Sequence, residues 1–246
     1  MFAYSHPIVT REAFLAELQA HADADQIVQG QYWDNERGCA VGCSLHSISR
    51  LIPDARVAMN DHYKLAETIG APPPLLYLED KIFEGLPVNL ARQWPMRFSS
   101  AIQQNADLSN VWPQFAAWML REIVLPSAEG YPGCGAAIER VARGYETSWQ
   151  SDTADAAAYA ATYAAAYAAT YAARAAADAA DTAAYAARAV ESAAADAAYA
   201  AVYAADAAYP PYTTDAARAA RAAAYTKMAD KIIALLAAAP IGEAGK

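Results

Sequence analysis

From Ser151 to Tyr209 the chain is built almost entirely of Ala, Tyr, Asp, Arg and Thr, and it contains neither Gly nor Pro. Ala is the best helix former, and Ser151 or Asp152 supplies an N-cap, so this composition predicts helix over 152–208. With Tyr159 set at zero and about 100° added per residue, Tyr163, Tyr167, Tyr171, Arg174, Asp178, Asp181, Tyr185, Arg188, Asp196, Tyr199, Tyr203 and Asp206 fall within an arc of about 120°. The opposite face is Ala, with Val190 as its one larger member. The stripe keeps its phase at a period near 3.6, whereas a left-handed coiled-coil seam needs 3.5, so a coiled coil is disfavoured. An unbroken helix of this length would run roughly 80 Å, against about 45 Å for the diameter of a compact chain of this size. It must therefore project or break, and Asp181-Thr182 and Glu191-Ser192 offer capping side chains for a restart. The smooth Ala face permits close approach by another helix, and the Tyr stripe could instead lie on a core with its hydroxyls reaching water. Which face is buried, and whether there is one helix or several, stay open.

Pro210-Pro211 ends the tract, and Asp215 can cap a final helix through Ala238, with Met228, Ile232, Leu235 and Leu236 as core contacts and Pro240 to Lys246 fraying. Larger apolar residues are concentrated in the first 150 positions, in short amphipathic runs separated by Pro, Gly and Asn. Thr10 can cap a helix to about His21 bearing Phe14, Leu15 and Leu18, and a second helix is expected from Ala24 to Gln31. Gly38 and Gly42 bracket a tight segment. Pro72-Pro73-Pro74 opens an element in which Leu75, Leu76, Leu78, Ile82 and Phe83 recur at helical spacing before Gly85 and Pro87. Pro95 opens the next, Asp107 or Ser109 caps one carrying Val111, Phe115, Trp118, Met119 and Ile123, and a last helix follows Gly135. Strand-like alternation is essentially missing. Trp33, Trp94, Trp112, Trp118 and Trp149 read as core residues. The expected architecture is all-α: a helical globular domain over 1–150, long Ala/Tyr-rich helices over 151–209 packed on it or projecting from it, and a C-terminal helix with a frayed tail over 210–246.

The net charge of −9 disfavours nonspecific attachment to nucleic acid or anionic lipid, and Arg and Lys are scattered rather than gathered in a basic patch. So modest an acidic excess reads as a solubility device before it reads as mimicry of DNA. Asp and Arg interrupt the Ala tract too often for a transmembrane segment. The first ten residues lack the pattern of a secretory signal, and three cysteines fit a reducing compartment, so the expected setting is cytoplasmic. An ice-binding helix would want Thr at a constant repeat near about 11 residues, but Thr153, Thr162, Thr170 and Thr182 are unevenly spaced.

The densest reactive cluster is Gly38-Cys39-Ala40-Val41-Gly42-Cys43-Ser44-Leu45-His46. In a helix Cys39 and Cys43 share a face with His46 one turn on, and in a Gly-bracketed loop all three could converge. A zinc ion there would take its fourth ligand from Cys134, His21 or His62, although the spacing matches no common finger and no cofactor is named by it. Alternatively, one cysteine is a nucleophile with His46, His21 or His62 as its base, and Gln29 or Gln31 as an oxyanion donor. The bland alternative is that both thiols are small buried hydrophobes and that Ala-Val between glycines marks close packing. Glu79, Asp80 and Glu84 form a second group in which two carboxylates one turn apart could share a proton or a divalent ion. Lys81 supports a simpler reading, a solvated face with its counterion. His21 beside Asp23 and Asp25 reads as a surface pair.

Three stretches carry a resemblance: Ile27-Val28-Gln29-Gly30-Gln31-Tyr32-Trp33, the Gly38–His46 segment, and Leu78-Glu79-Asp80-Lys81-Ile82-Phe83-Glu84-Gly85-Leu86. Together with Trp94-Pro95-Met96-Arg97-Phe98 through Ala106-Asp107-Leu108, they resemble a family of uncharacterised bacterial and phage-encoded proteins over roughly residues 20–145. The resemblance implies a prokaryotic or phage setting and is silent on activity. Two functions are then expected in competition. One is a non-enzymatic interaction protein, engaging an unknown partner or itself through the Ala face. The other is a small cysteine-dependent enzyme or metal-binding protein centred on Cys39, Cys43 and His46.

Overall fold

A computed structural model describes residues 2–52, 57–127, 134–147 and 215–242. The fold is all-α: helices dominate the described residues, and the strands there form one short two-stranded hairpin. Among the described residues no helix is long and apolar enough to cross a membrane. The Ala/Tyr tract, its proposed breaks, its self-association face and Trp149 lie outside the described residues. The chain divides into two compact units, one made of 1–112 with 225–246 and the other of 113–224.

In the first unit, α1 (Arg11–Asp23) begins as expected, with the Thr10 hydroxyl accepting from the Ala13 N–H at 3.2 Å. Phe14 and Leu18, four residues apart, face the core. The helix expected at Ala24–Gln31 does not form. Asp25 (φ 53°) and Gly30 (φ 91°) both take left-handed conformations incompatible with it. The backbone between them is spent on other partners, because Val28 N–H donates to Gly38 O at 2.9 Å and Gly38 N–H to Gln26 O at 2.9 Å. His21 likewise departs from the surface reading: it is 2% exposed and bonds Gln26 rather than Asp23 or Asp25.

A hairpin follows, β1 (Trp33–Asp34) against β2 (Arg37–Gly38), with Asp34 opposite Arg37. The two-residue loop Asn35-Glu36 has φ of 48° and 64°, the pattern of a type I′ turn. Asn tolerates this conformation, whereas a Glu there is strained. Glu36→Gly should therefore raise stability by about 0.5–1 kcal/mol, the relief of αL strain less the added entropy of Gly. Urea denaturation checks this, and a lower midpoint would contradict the turn assignment.

Helix α2 (Ala40–Leu51) starts directly after the hairpin. Its first turns are buried on all sides, from Ala40 to Leu45, as befits an element surrounded by others. Helix α3 (His62–Ile69) is capped by Asp61, whose carboxylate accepts from Lys64 N–H at 2.9 Å, and closed by Gly70 at φ 70°. Helix α4 (Pro73–Gly85) starts within the Pro run, where missing N–H groups cost nothing. The short α5 (Val88–Ala91) leads to α6 (Trp94–Ala101), with Pro95 in its first turn. Helix α2 packs against α1, α3, α4 and α6. Leu45, Ile48, Leu75, Phe83, Trp94 and Phe98 fill the space between them.

Among the described residues that follow are α7 (Val111–Met119), a short α8 (Leu125–Ser127), α9 (Cys134–Thr147) and α10 (Asp215–Ala237). The last of these returns to the first unit, where Tyr225 lays its ring on Gly85 and Met228, Ile232 and Leu236 are fully buried. The tail does not fray at once. Asp107 N–H donates to Pro240 O at 2.7 Å and Gly242 N–H to Asn105 O at 2.9 Å, so 240–242 are docked by backbone hydrogen bonds. In the second unit, one π turn (Leu120–Val124) joins α7 to α8. There Arg121 bonds both oxygens of Glu139 and also Glu146, which holds the Glu139 carboxyl down to about 2. The network is exposed and screened, and its contribution is orientation more than stability.

Candidate functional site

The segment 27–33 is clamped between the start of α2 and the end of α4. Gln29 donates its side-chain amide to Phe83 O at 2.7 Å and Leu86 O at 3.0 Å, closing carbonyls at the end of α4. Gly30 N–H donates to both carboxylate oxygens of Glu84, at 3.2 and 3.0 Å. On the other side, Cys39 N–H donates to Gln31 O at 2.7 Å, and the Tyr32 carbonyl lies so close to Gly38 and Gly42 that a Cβ would fall 2.1 and 1.4 Å from its oxygen. Glycine is required at both places for contact alone. All three stretches that carry the sequence resemblance meet here.

Their meeting point gathers unlike donors. Cys39 Sγ, an Asp80 oxygen and a Glu84 oxygen lie within 4.8 Å of one another. Asp80 and Glu84 are one turn apart on α4 and so share a face. Cys39 is the N-cap of α2, its sulfur accepting from Gly42 N–H at 3.4 Å. The Asp80 carboxylate is braced by His62 of α3, with Nε2 at 3.3 Å from Oδ2. His62 Nδ1 lies 3.0 Å from Asn60 O, and since a carbonyl only accepts, Nδ1 donates there. The imidazole stacks on Tyr77 at 4.2 Å, with Tyr32 edge-on at 5.9 Å.

The electrostatics are costly. Glu79 is 2% exposed, and its Oε2 has no hydrogen-bond partner. Burial, then the charges of Asp80 and Glu84, push its carboxyl well above the usual range. Burial pushes the Cys39 thiol up, followed by Asp80, with Glu79 and Glu84 adding to it against the Gly42 N–H. Cys43 is pushed up to about 12 by burial and then by Glu79. The charge of Glu79 is thus felt by both thiols, and Glu79 in turn feels Asp80 and Glu84. Glu84 is raised by burial, a rise opposed by the Gly30 N–H and Lys81.

Several expectations meet a different arrangement. The solvated face neutralised by Lys81 is not what forms, because Glu79 and Asp80 are 2% and 5% exposed. Cys43 and His46 do not join the group around Cys39. The Cys43 thiol donates to Gly38 O at 3.4 Å, while His46 stacks on Trp33 at 4.0 Å with its Nδ1 at 3.3 Å from His21 Nε2. Burial, then His21 and Arg50, hold the His46 pKa below its ordinary value. Neither glutamine is aimed at an oxyanion: Gln29 closes α4, and Gln31 donates to Asp34 O and Arg37 O inside the hairpin. Cys134 begins a helix of the other unit, and its side chain lies outside the described residues.

His62 and its stack on Tyr77 are less visible in the sequence. Apolar spacing does not announce α3, and the usable signal is Asp61 as an N-cap with Gly70 closing the helix eight residues after His62.

No protein-family model matches this chain, and no curated protein or solved structure matches it either.

Proposed function

We propose that this chain is a metal-binding protein whose first unit holds one divalent cation between Cys39, Asp80 and Glu84. The observation that carries the reading is the gathering of three donor atoms within 4.8 Å of one another, electrostatically coupled to a buried Glu79 whose Oε2 has no partner. A buried carboxyl without a partner is held toward its neutral form at a cost in free energy, and a nearby cation lets it ionise. Ligand bonds of about 2.0–2.3 Å place donor atoms some 3.5 Å apart around a tetrahedral ion. The three donor atoms, within 4.8 Å of one another, close to that distance on binding.

Thiol catalysis is less well supported by the same geometry. A cysteine nucleophile needs its thiolate stabilised by an imidazolium or a comparable positive charge, whereas Cys39 faces carboxylates that push its thiol the other way. Among the described residues no imidazole nitrogen joins the donor group.

The purified full chain should retain close to one equivalent of zinc after dialysis, measured by elemental analysis. Asp80→Asn and Glu84→Gln should each weaken binding by at least about tenfold, while His46→Ala leaves it unchanged. Circular dichroism melts establish that each variant is folded. Protein that retains no metal, or a His46→Ala variant impaired as badly as Asp80→Asn, would overturn the reading.

A further inference from the structure

Resting on the metal reading above, we infer that the cation is of the borderline, thiophilic class, such as zinc, cobalt(II) or iron(II), and that Cys39 selects it over magnesium and calcium. Calcium takes six to eight oxygen ligands and magnesium an octahedron of oxygens rich in water. The site supplies one sulfur and two carboxylates, and although Glu84 reaches solvent, Cys39 is 1% and Asp80 5% exposed, so the protein itself offers too few oxygens for a hard ion and leaves water only one side of approach. Sulfur is the donor that separates the two classes.

The second observation is that every one of the three donors is braced by a group that is not itself a donor. Gly42 N–H reaches the Cys39 sulfur at 3.4 Å, His62 Nε2 lies 3.3 Å from Asp80 Oδ2, and Gly30 N–H reaches the Glu84 oxygens at 3.0 and 3.2 Å. Such outer partners orient ligands for a particular ion, and an N–H at a helix N-terminus favours the thiolate a metal requires. Cys39 is further pinned through its own N–H on Gln31 O at 2.7 Å, which fixes where the sulfur stands. On binding, the S–H bond breaks and a metal–sulfur bond forms, the proton leaves to solvent, and no electron changes hands.

The test is a titration of the full, chelator-treated chain with cobalt(II), followed by absorption. A sulfur-to-cobalt charge-transfer band should saturate at one equivalent, vanish on stoichiometric zinc, and persist in a large excess of magnesium or calcium. Cys39→Ser should abolish the band and weaken zinc binding by about a hundredfold or more, whereas Cys43→Ser keeps both. The wild-type band needs no variant, so a poorly folded Cys39→Ser does not blunt the test. Cobalt bound without a sulfur band, displacement by magnesium or calcium at comparable concentration, or loss of the band in Cys43→Ser would overturn this inference while sparing the metal reading. Failure of every divalent ion to bind would overturn both.

Discussion

Gly42→Ala is expected to cost more than about 3 kcal/mol, a large share of the roughly 5–15 kcal/mol that holds a domain of this kind together. The added Cβ would stand 1.4 Å from the Tyr32 carbonyl oxygen, 2.3 Å from its carbon and 3.1 Å from its Cα. All three are backbone atoms, so no side-chain rotation relieves the clash. Moving Tyr32 away would break the Cys39 N–H contacts to Gln31 O and Tyr32 O and pull the hairpin from the start of α2. Gly144 is the matching control, because it too lies within a helix but has open space where a Cβ would be. There Ala should stabilise by about 0.5–1 kcal/mol through helix propensity alone. Urea denaturation of the two variants separates the effects. A Gly42→Ala protein with the wild-type midpoint would mean that the close approach of segment 27–33 to α2 does not exist in solution.

That approach also explains what could be read from the residues and what could not. Helices with a cap and an apolar period, such as the one from Thr10 through Phe14 and Leu18 or the Pro-opened run through Leu75 and Phe83, are local facts and emerge in place. Ala24–Gln31 looks helical by composition, yet Gln29 and Gly30 find better partners fifty-odd residues away at the end of α4, and no local window contains that information. The tightness between Gly38 and Gly42 is legible as close packing, but its partner, the Tyr32 carbonyl, is not. The site divides in the same way. Cys39, Glu79, Asp80 and Glu84 stand out by residue type, while their union depends on the crossing of α2 and α4. Cys43 and His46 share the cluster in sequence and leave it in space, because α2 turns His46 toward Trp33 and His21.

Glu79→Gln should stabilise the metal-free protein by about 1–3 kcal/mol and weaken its hold on a divalent cation. The backbone carbonyl of Glu79 accepts from Trp94 Nε1 at 3.0 Å, and that bond survives the substitution. What changes is a carboxylate 2% exposed, with one oxygen unpartnered, set beside Asp80 and Glu84. Burying the charge would cost several kcal/mol, so the carboxyl is driven toward its neutral form and must take up a proton on folding, whereas Gln keeps the shape, needs no proton and offers two donors to surrounding carboxylates. With zinc present the order should reverse. A cation at a hundred times its dissociation constant adds about 2.7 kcal/mol to the form that binds it, and the variant, binding more weakly, gains less. Midpoints in urea with chelator and with zinc measure both arms. A residue kept for packing would give a variant no more stable without metal and no less stabilised by it. A residue kept for the ion gives the crossing, because a site that destabilises the empty fold persists only when something occupies it.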